Sequence, residues 1–245
     1  MSTIGAGTRR RMLLRSFAVQ GSWNYQTLIG TGMAFVLAPA LRDVHGADPR
    51  ALAAATGRHA ELFNSHPYLA TVAAGAIARL EADGVPVEMQ ARFKNAMRGS
   101  LGTMGDRLVW AVWRPACALL GIALVAAGAA WWMGALAFLL AYNALHLWLR
   151  AWGLRVGLRD GLMVAKALRE SPLQRLGERG ADAGAALAGF AAVVLAGGAA
   201  RGPGELALGA AAVAAGLLLR THVRTAIAAA LLAVTLAGIL LARTP

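Results

Sequence analysis

Apolar and polar positions in this chain fall into long blocks, without the strict alternation of a half-buried strand. Residues 16–41 and 62–78 form two apolar stretches of 26 and 17 residues, and residues 116–149 form a charge-free run of 34. Three more runs follow, at 183–200, 206–219 and 225–242. The first two blocks are not clean. Asn24 and Gln26 sit in one, which closes near Pro39, and Asn64, Ser65, His66 and Pro67 crowd the first third of the other. Proline donates no backbone hydrogen bond and biases the residue before it away from helix, so both blocks are predicted to be interrupted. Irregular backbone at membrane depth survives only where protein or a water-filled cavity satisfies it. The pattern predicts an all-α, polytopic membrane protein with interrupted N-terminal helices and C-terminal transmembrane helices.

The tryptophans refine the 34-residue run. As one helix it would be about 51 Å long, against a hydrocarbon core of about 30 Å. Trp113 to Trp131 is about 27 Å of helix and Trp132 to Trp148 about 24 Å. Tryptophan favours the membrane interface, so residues 109–152 are predicted as a helical hairpin turning at 131–134. Residues 1–108 then form an N-terminal half, its apolar helices broken or re-entrant and joined by amphipathic cytoplasmic links. Asp48 and Asp83 are candidate helix caps in those links. Residues 109–245 form the transmembrane half. Its cytoplasmic link, 150–182, carries seven basic residues up to Arg179 against Asp160, Glu170 and Glu178, with Ser171-Pro172 as a break. Spans are expected at 183–200, 206–219 and 225–242.

Composition agrees with this assignment. Of 245 residues 58% are hydrophobic and only 15% charged, against about 25% charged in a soluble domain. The net charge of +12 lies between apolar runs, as the positive-inside rule expects of cytoplasmic loops, and not on a soluble face among stacking aromatics. Nucleic acid is therefore not an expected partner; the lipid bilayer is. Arg9, Arg10, Arg11 and Arg15 read as a cytoplasmic anchor, since no apolar core or small-x-small cleavage site of an export signal follows them. The single cysteine, Cys117, excludes an internal disulfide.

Two interrupted apolar segments in one chain point to a transporter's midplane site. Asn24, Gln26, Asn64 and His66 supply uncharged donors and acceptors suited to a hydroxyl-rich neutral solute, although the same groups can join helices together. The glycines of "GSLGTMGDR" permit close backbone approach or a sharp re-entrant turn, but no Gly-Lys-Ser/Thr follows, which excludes a P-loop. Asp106 beside Arg107 is either a structural pair or, as an ionisable residue at membrane depth, a functional one. His59 and His66, seven apart, would share one face of an unbroken helix, but no carboxylate or cysteine completes a metal site. No nucleophile–base arrangement is visible.

"SFAVQGSWNYQTLIGTGMAFVLAPAL", "RHAELFNSHPYLATVAAGAIARLE" and "FKNAMRGSLGTMGDRLVWAVWRP" resemble the IID membrane subunit of mannose/fructose/sorbose-family sugar phosphotransferase systems. The stretch "YNALHLWLRAWGLRVGLRDGLMVAKALRESPLQRLGE" fits the middle of that family. The resemblance implies a hetero-oligomer in the bacterial cytoplasmic membrane, its N-terminus cytoplasmic, in which this subunit and a IIC subunit form a translocator for a hexose. Phosphate would pass through soluble IIA and IIB subunits, so this subunit would carry no phosphohistidine, no cofactor and no catalysis of its own. Gln20, Trp23, Asn24, Asn64, His66 and Asp106 are the expected substrate-path residues, with Trp23 as a sugar-stacking platform. The alternative is a transport-inactive membrane sensor or scaffold controlling a phosphotransfer chain.

Overall fold

The computed structural model describes residues 4–199, so the expected spans at 206–219 and 225–242 lie outside the described residues. Every regular element described is helical. The helices are α1 (Ala6–Ser16), α2 (Gly30–His45), α3 (Pro49–Ala60), α4 (Ala70–Ala82) and α5 (Val87–Gly105), followed by a π-helical segment, Asp106–Trp113. Then come α6 (Arg114–Ala126), α7 (Trp131–Asp160), a single 3-10 turn, α8 (Val164–Arg169) and α9 (Leu173–Ala199). Contacts group residues 4–106 with 144–172 in one compact unit, and 107–143 with 173–199 in another.

The first unit is built around α4. All of its residues except Arg79 and Ala82 are buried, and its alanine- and glycine-rich sequence lets neighbours approach closely. A Cβ added to Gly153 or Gly157 of α7 would collide with Thr71, Val72 or Ala76, so small residues set this contact. Thr8, Met12 and Ser16, one face of α1, are buried, and Thr8 donates to Asp43 of α2 at 2.6 Å. Asp48 caps α3 as expected, its Oδ1 accepting from Arg50 N and Ala51 N at 2.8 and 3.2 Å. Asp83 starts no helix. It follows the last turn of α4 and pairs with Arg79 at 2.5 Å.

Two sequence expectations shift here. The first apolar block breaks at residues 17–29, and α2 runs on through Pro39. Proline inside a helix leaves the carbonyl four residues earlier without its usual donor. That carbonyl is Phe35 O, and Arg15 of α1 donates to it at 3.1 Å while its guanidinium lies 4.5 Å from the Phe35 ring centre. Arg15 therefore belongs to the protein's packing as well as to the basic N-terminal run. The glycines at 99, 102 and 105 lie in continuous helix, so the sharp turn considered for them is absent.

In the second unit α6 and α7 are joined by a turn at residues 127–130, a few residues before the tryptophan pair expected to mark it. Gly128, at φ 95°, ends α6, with Gly128 N–H donating to Val125 O and Ala129 N–H to Leu124 O, both at 3.0 Å. Trp131 and Trp132 then open α7, 77% and 54% exposed. Trp113 Nε1 donates to Ala141 O at 3.1 Å, and Gly121 and Gly134 meet backbone to backbone. On α9, Gly180 lies against Val112 and Trp113 and Gly184 against Ala116. The break at Ser171-Pro172 also stands, between α8 and α9.

Two continuous helical stretches, 87–126 and 131–169, are long and apolar enough to cross a bilayer. Only 33% and 17% of their most apolar windows is buried. The core helix of a soluble protein hides such a window, whereas here Ile122, Leu136, Leu139 and Leu140 face outward.

Candidate functional site

The two interruptions pair with each other in the first unit. Residues 17–29 leave α1 as a series of turns, and Asn24 organises their tip. Its Oδ1 accepts from Gln26 N and Thr27 N, both at 2.9 Å, and its Nδ2 donates to Thr27 Oγ1 at 2.8 Å. Leu28 follows with φ 53°, a left-handed conformation that is costly for a branched apolar residue. It is held by reciprocal backbone bonds to Asn24 at 2.8 and 3.3 Å. The second interruption, between α3 and α4, runs alongside. Phe63 N–H donates to Thr27 O at 3.2 Å and Ile29 N–H to Phe63 O at 3.1 Å. Backbone freed from helix in one segment thus finds its partner in the other, as buried backbone polar groups require.

His66 sits beneath this pairing, 2% exposed. Its Nδ1 accepts from Tyr68 N at 3.2 Å, and its carbonyl caps the first turn of α4 by accepting from Leu69 N and Ala70 N, both at 3.0 Å. A Cβ on Gly105 would overlap the His66 side chain, so only glycine lets the end of α5 come this close. The Tyr68 ring stands edge-on to His66 and stacks on His146 of α7 with centroids 3.9 Å apart. Arg150, 3% exposed, completes the cluster. Its Nε donates to His146 Nε2 at 2.7 Å and its Nη1 to the carbonyl and hydroxyl oxygens of Ser16. Its guanidinium carbon lies 4.9 Å from the Phe17 ring centre and 5.2 Å from that of Tyr68.

The six expected residues therefore divide by position. Gln20, Trp23 and Asn64 are exposed on the paired segments, with Trp23 edge-on to Tyr25 at 4.9 Å. Asn24 and His66 are taken up by the geometry of the segments themselves. Asp106 is exposed at the start of the π-helical segment, immediately after Gly105, and forms no ion pair with Arg107 among the described residues. His59 is far from sharing a helix face with His66: it lies in α3, and the chain is irregular between them.

A second cluster escaped sequence reasoning. Glu81, at the end of α4, is buried and accepts from three side chains. His45 of α2 reaches Oε2 at 2.7 Å, His59 reaches Oε1 at 2.6 Å, and Arg58 spans both oxygens at 2.6 and 2.8 Å. Burial opposes ionisation of Glu81, but hydrogen bonds from His59, His45 and Arg58 outweigh it and bring its pKa down to about 2. Burial lowers the pKa of His59 by more than the contact with Glu81 raises it. Lys94 of α5 adds a bond to Arg58 O. The signal in the sequence was a lone carboxylate closing an apolar block, after two histidines and an arginine in the preceding link. No group of three His, Cys, Asp or Glu among the described residues is arranged to hold a metal.

The model of the PTS system mannose/fructose/sorbose family IID component matches residues 3–189, most of the chain. The chain belongs to this family. The mannose-specific EIID component of Escherichia coli K12 is 32% identical over 69% of this chain. The fructose permease IID component of Bacillus subtilis is 29% identical over 68%, and the sorbose-specific EIID component of Klebsiella pneumoniae 31% over 68%. This IID chain spans 61–62% of the length of these relatives. Among solved structures it is similar to one in a cryo-EM complex of the mannose transporter ManYZ with microcin E492, at TM-score 0.61 and 25% identity. That alignment covers 98% of this chain and 97% of the other. A second membrane protein structure aligns at TM-score 0.65 and 29% identity, over 75% of this chain and 68% of that one. The matched range, residues 3–189, includes the two paired segments and the helices that support them.

Proposed function

We propose that this IID chain forms, with a IIC subunit, the membrane translocator of a phosphoenolpyruvate-dependent phosphotransferase system for a hexose of the mannose, fructose or sorbose class. It crosses the cytoplasmic membrane several times with its N-terminus in the cytoplasm, and phosphoryl transfer is done by IIA and IIB. The observation that carries this reading is the pairing of two polar interruptions inside apolar segments. Gln20, Trp23 and Asn64 stay exposed there, while Asn24 and His66 fix the backbone around them. Neutral amides and an indole face suit a ligand of many hydroxyls and no charge.

The test is hexose binding by the purified complex with IIC, measured by calorimetry over a panel of hexoses. Saturable binding of one hexose is expected. Asn64→Ala should weaken it by roughly tenfold to a hundredfold, as for a lost hydrogen bond that leaves a ligand group unpaired. A complex that assembles with IIC and binds no hexose would instead identify a sensor or scaffold. Normal affinity in Asn64→Ala would remove Asn64 from the sugar path.

A further inference from the structure

Arg150 is an unusual residue for an apolar helix: a buried guanidinium with no ion pair among the described residues. A cation inside a membrane protein is costly, and where it serves to balance charge it faces a carboxylate. Arg150 faces a carbonyl, a hydroxyl, an imidazole and two aromatic rings. These partners have a positional logic. Ser16 is the last residue of α1, and Phe17 the first of the first interruption. Tyr68 lies in the second interruption, two residues before α4, and its backbone N–H donates to His66. One side chain on α7 thus touches the point where the first irregular segment begins and the point where the second ends.

We propose that Arg150 is the positioning residue of the proposed sugar path, holding the two interrupted segments in register from behind without touching the ligand. The carbonyl at the C-terminus of α1 carries partial negative charge, which a guanidinium satisfies. The planar fork directs Nη1 to Ser16 and Nε to His146 at once, while its faces rest against Phe17 and Tyr68. Lysine offers one compact charge and cannot hold these directions together. His146 accepts from Arg150, so it is the neutral imidazole that completes the arrangement.

This inference rests on the translocator reading for its ligand but not for its geometry, and the experiment separates the two. Arg150→Met and Arg150→Lys are made in the full chain co-purified with IIC. Amide hydrogen exchange is followed over residues 17–29 and 61–69, with α3 as internal reference, and hexose affinity is measured on the same samples. Both variants are expected to speed exchange at Phe63 and Ile29 while α3 stays protected, and to weaken hexose affinity by about tenfold or more. A merely structural arginine would loosen α3 and α4 together with the segments, and that uniform loss overturns the proposal. So does unchanged exchange in the segments, or restoration of wild-type exchange by lysine. If Arg150→Met fails to assemble, Phe17→Leu decides: faster exchange over 17–29 supports the proposal, and wild-type exchange refutes it. If the wild type binds no hexose, the translocator reading fails while the exchange result still decides the role of Arg150.

Discussion

Pro39 shows how one residue's defect is repaired by another element. Its missing N–H leaves Phe35 O to Arg15, which reaches it from α1. Arg15→Ala should therefore cost about 0.5–1.5 kcal/mol, since a solvent-exposed hydrogen bond to this carbonyl is lost, whereas Arg9→Ala, at an exposed position with no such bond, should cost almost nothing. A double-mutant cycle makes this specific. Pro39→Ala restores the helical donor to Phe35 O, so Arg15→Ala on that background should be much milder. Additive effects in thermal melts of the four proteins would show that Arg15 and Pro39 are not coupled. The sequence pointed to Pro39 as a helix end because the rule for proline is local. The compensating arginine lies 24 positions earlier, in a run that reads as a lipid anchor. His66 and Asn24 show the reverse: amides and histidines inside apolar blocks are visible locally, but whether they face a ligand or hold backbone depends on the other segment.

At the scale of elements, Glu81 ties α2, α3 and α4 together through one carboxylate. The folded state holds Glu81 ionised down to about pH 2, whereas in the unfolded chain it titrates near 4.5. Fewer protons are bound folded than unfolded, so this stability is complete above about pH 4.5 and is lost as pH falls towards 2, on the order of 3 kcal/mol in all. His59 acts in the same direction. It is kept neutral in the fold below its ordinary value of 6.5, so acid also weakens the fold by charging it in the unfolded chain. Glu81→Gln should lower the melting temperature at neutral pH, leaving Arg58 without its counter-charge, and should flatten the acid limb between about pH 5 and 3. A variant that melts like the wild type near pH 7 would mean that the carboxylate links nothing essential. Helical structure was legible from block length, and the start of α3 from Asp48, whereas Asp83 ends a helix and starts none. The Glu81 hub was not, because its donors lie on α2 and α3, whose placement against the end of α4 no local pattern fixes.

At the scale of the whole chain, the apolar surface of α6 and α7 constrains how the protein sits in a membrane. Ala127–Ala130 separates two helices whose outward residues are large and apolar, and the turn glycine, Gly128, has nothing near the position of a side chain. Trp131 and Trp132 lie just beyond that turn, where interfacial aromatics belong, and Trp148 and Trp152, stacked with centroids 5.5 Å apart, lie about four to five turns further along α7. That separation, about 24–30 Å of helix, matches one hydrocarbon thickness. The turn and the Arg155–Arg159 region should therefore open on opposite sides of the membrane, the basic side cytoplasmic. Buried Cys117 is replaced by alanine, and single cysteines are placed at Gly128 and at exposed Arg155. An impermeant thiol reagent added to intact cells should label Gly128→Cys but not Arg155→Cys, and inverted vesicles should give the reverse. Equal labelling of both positions from one side would refute a single crossing between them. Labelling of Arg155→Cys alone in intact cells would keep the crossing and invert its direction, placing the basic link outside the cell.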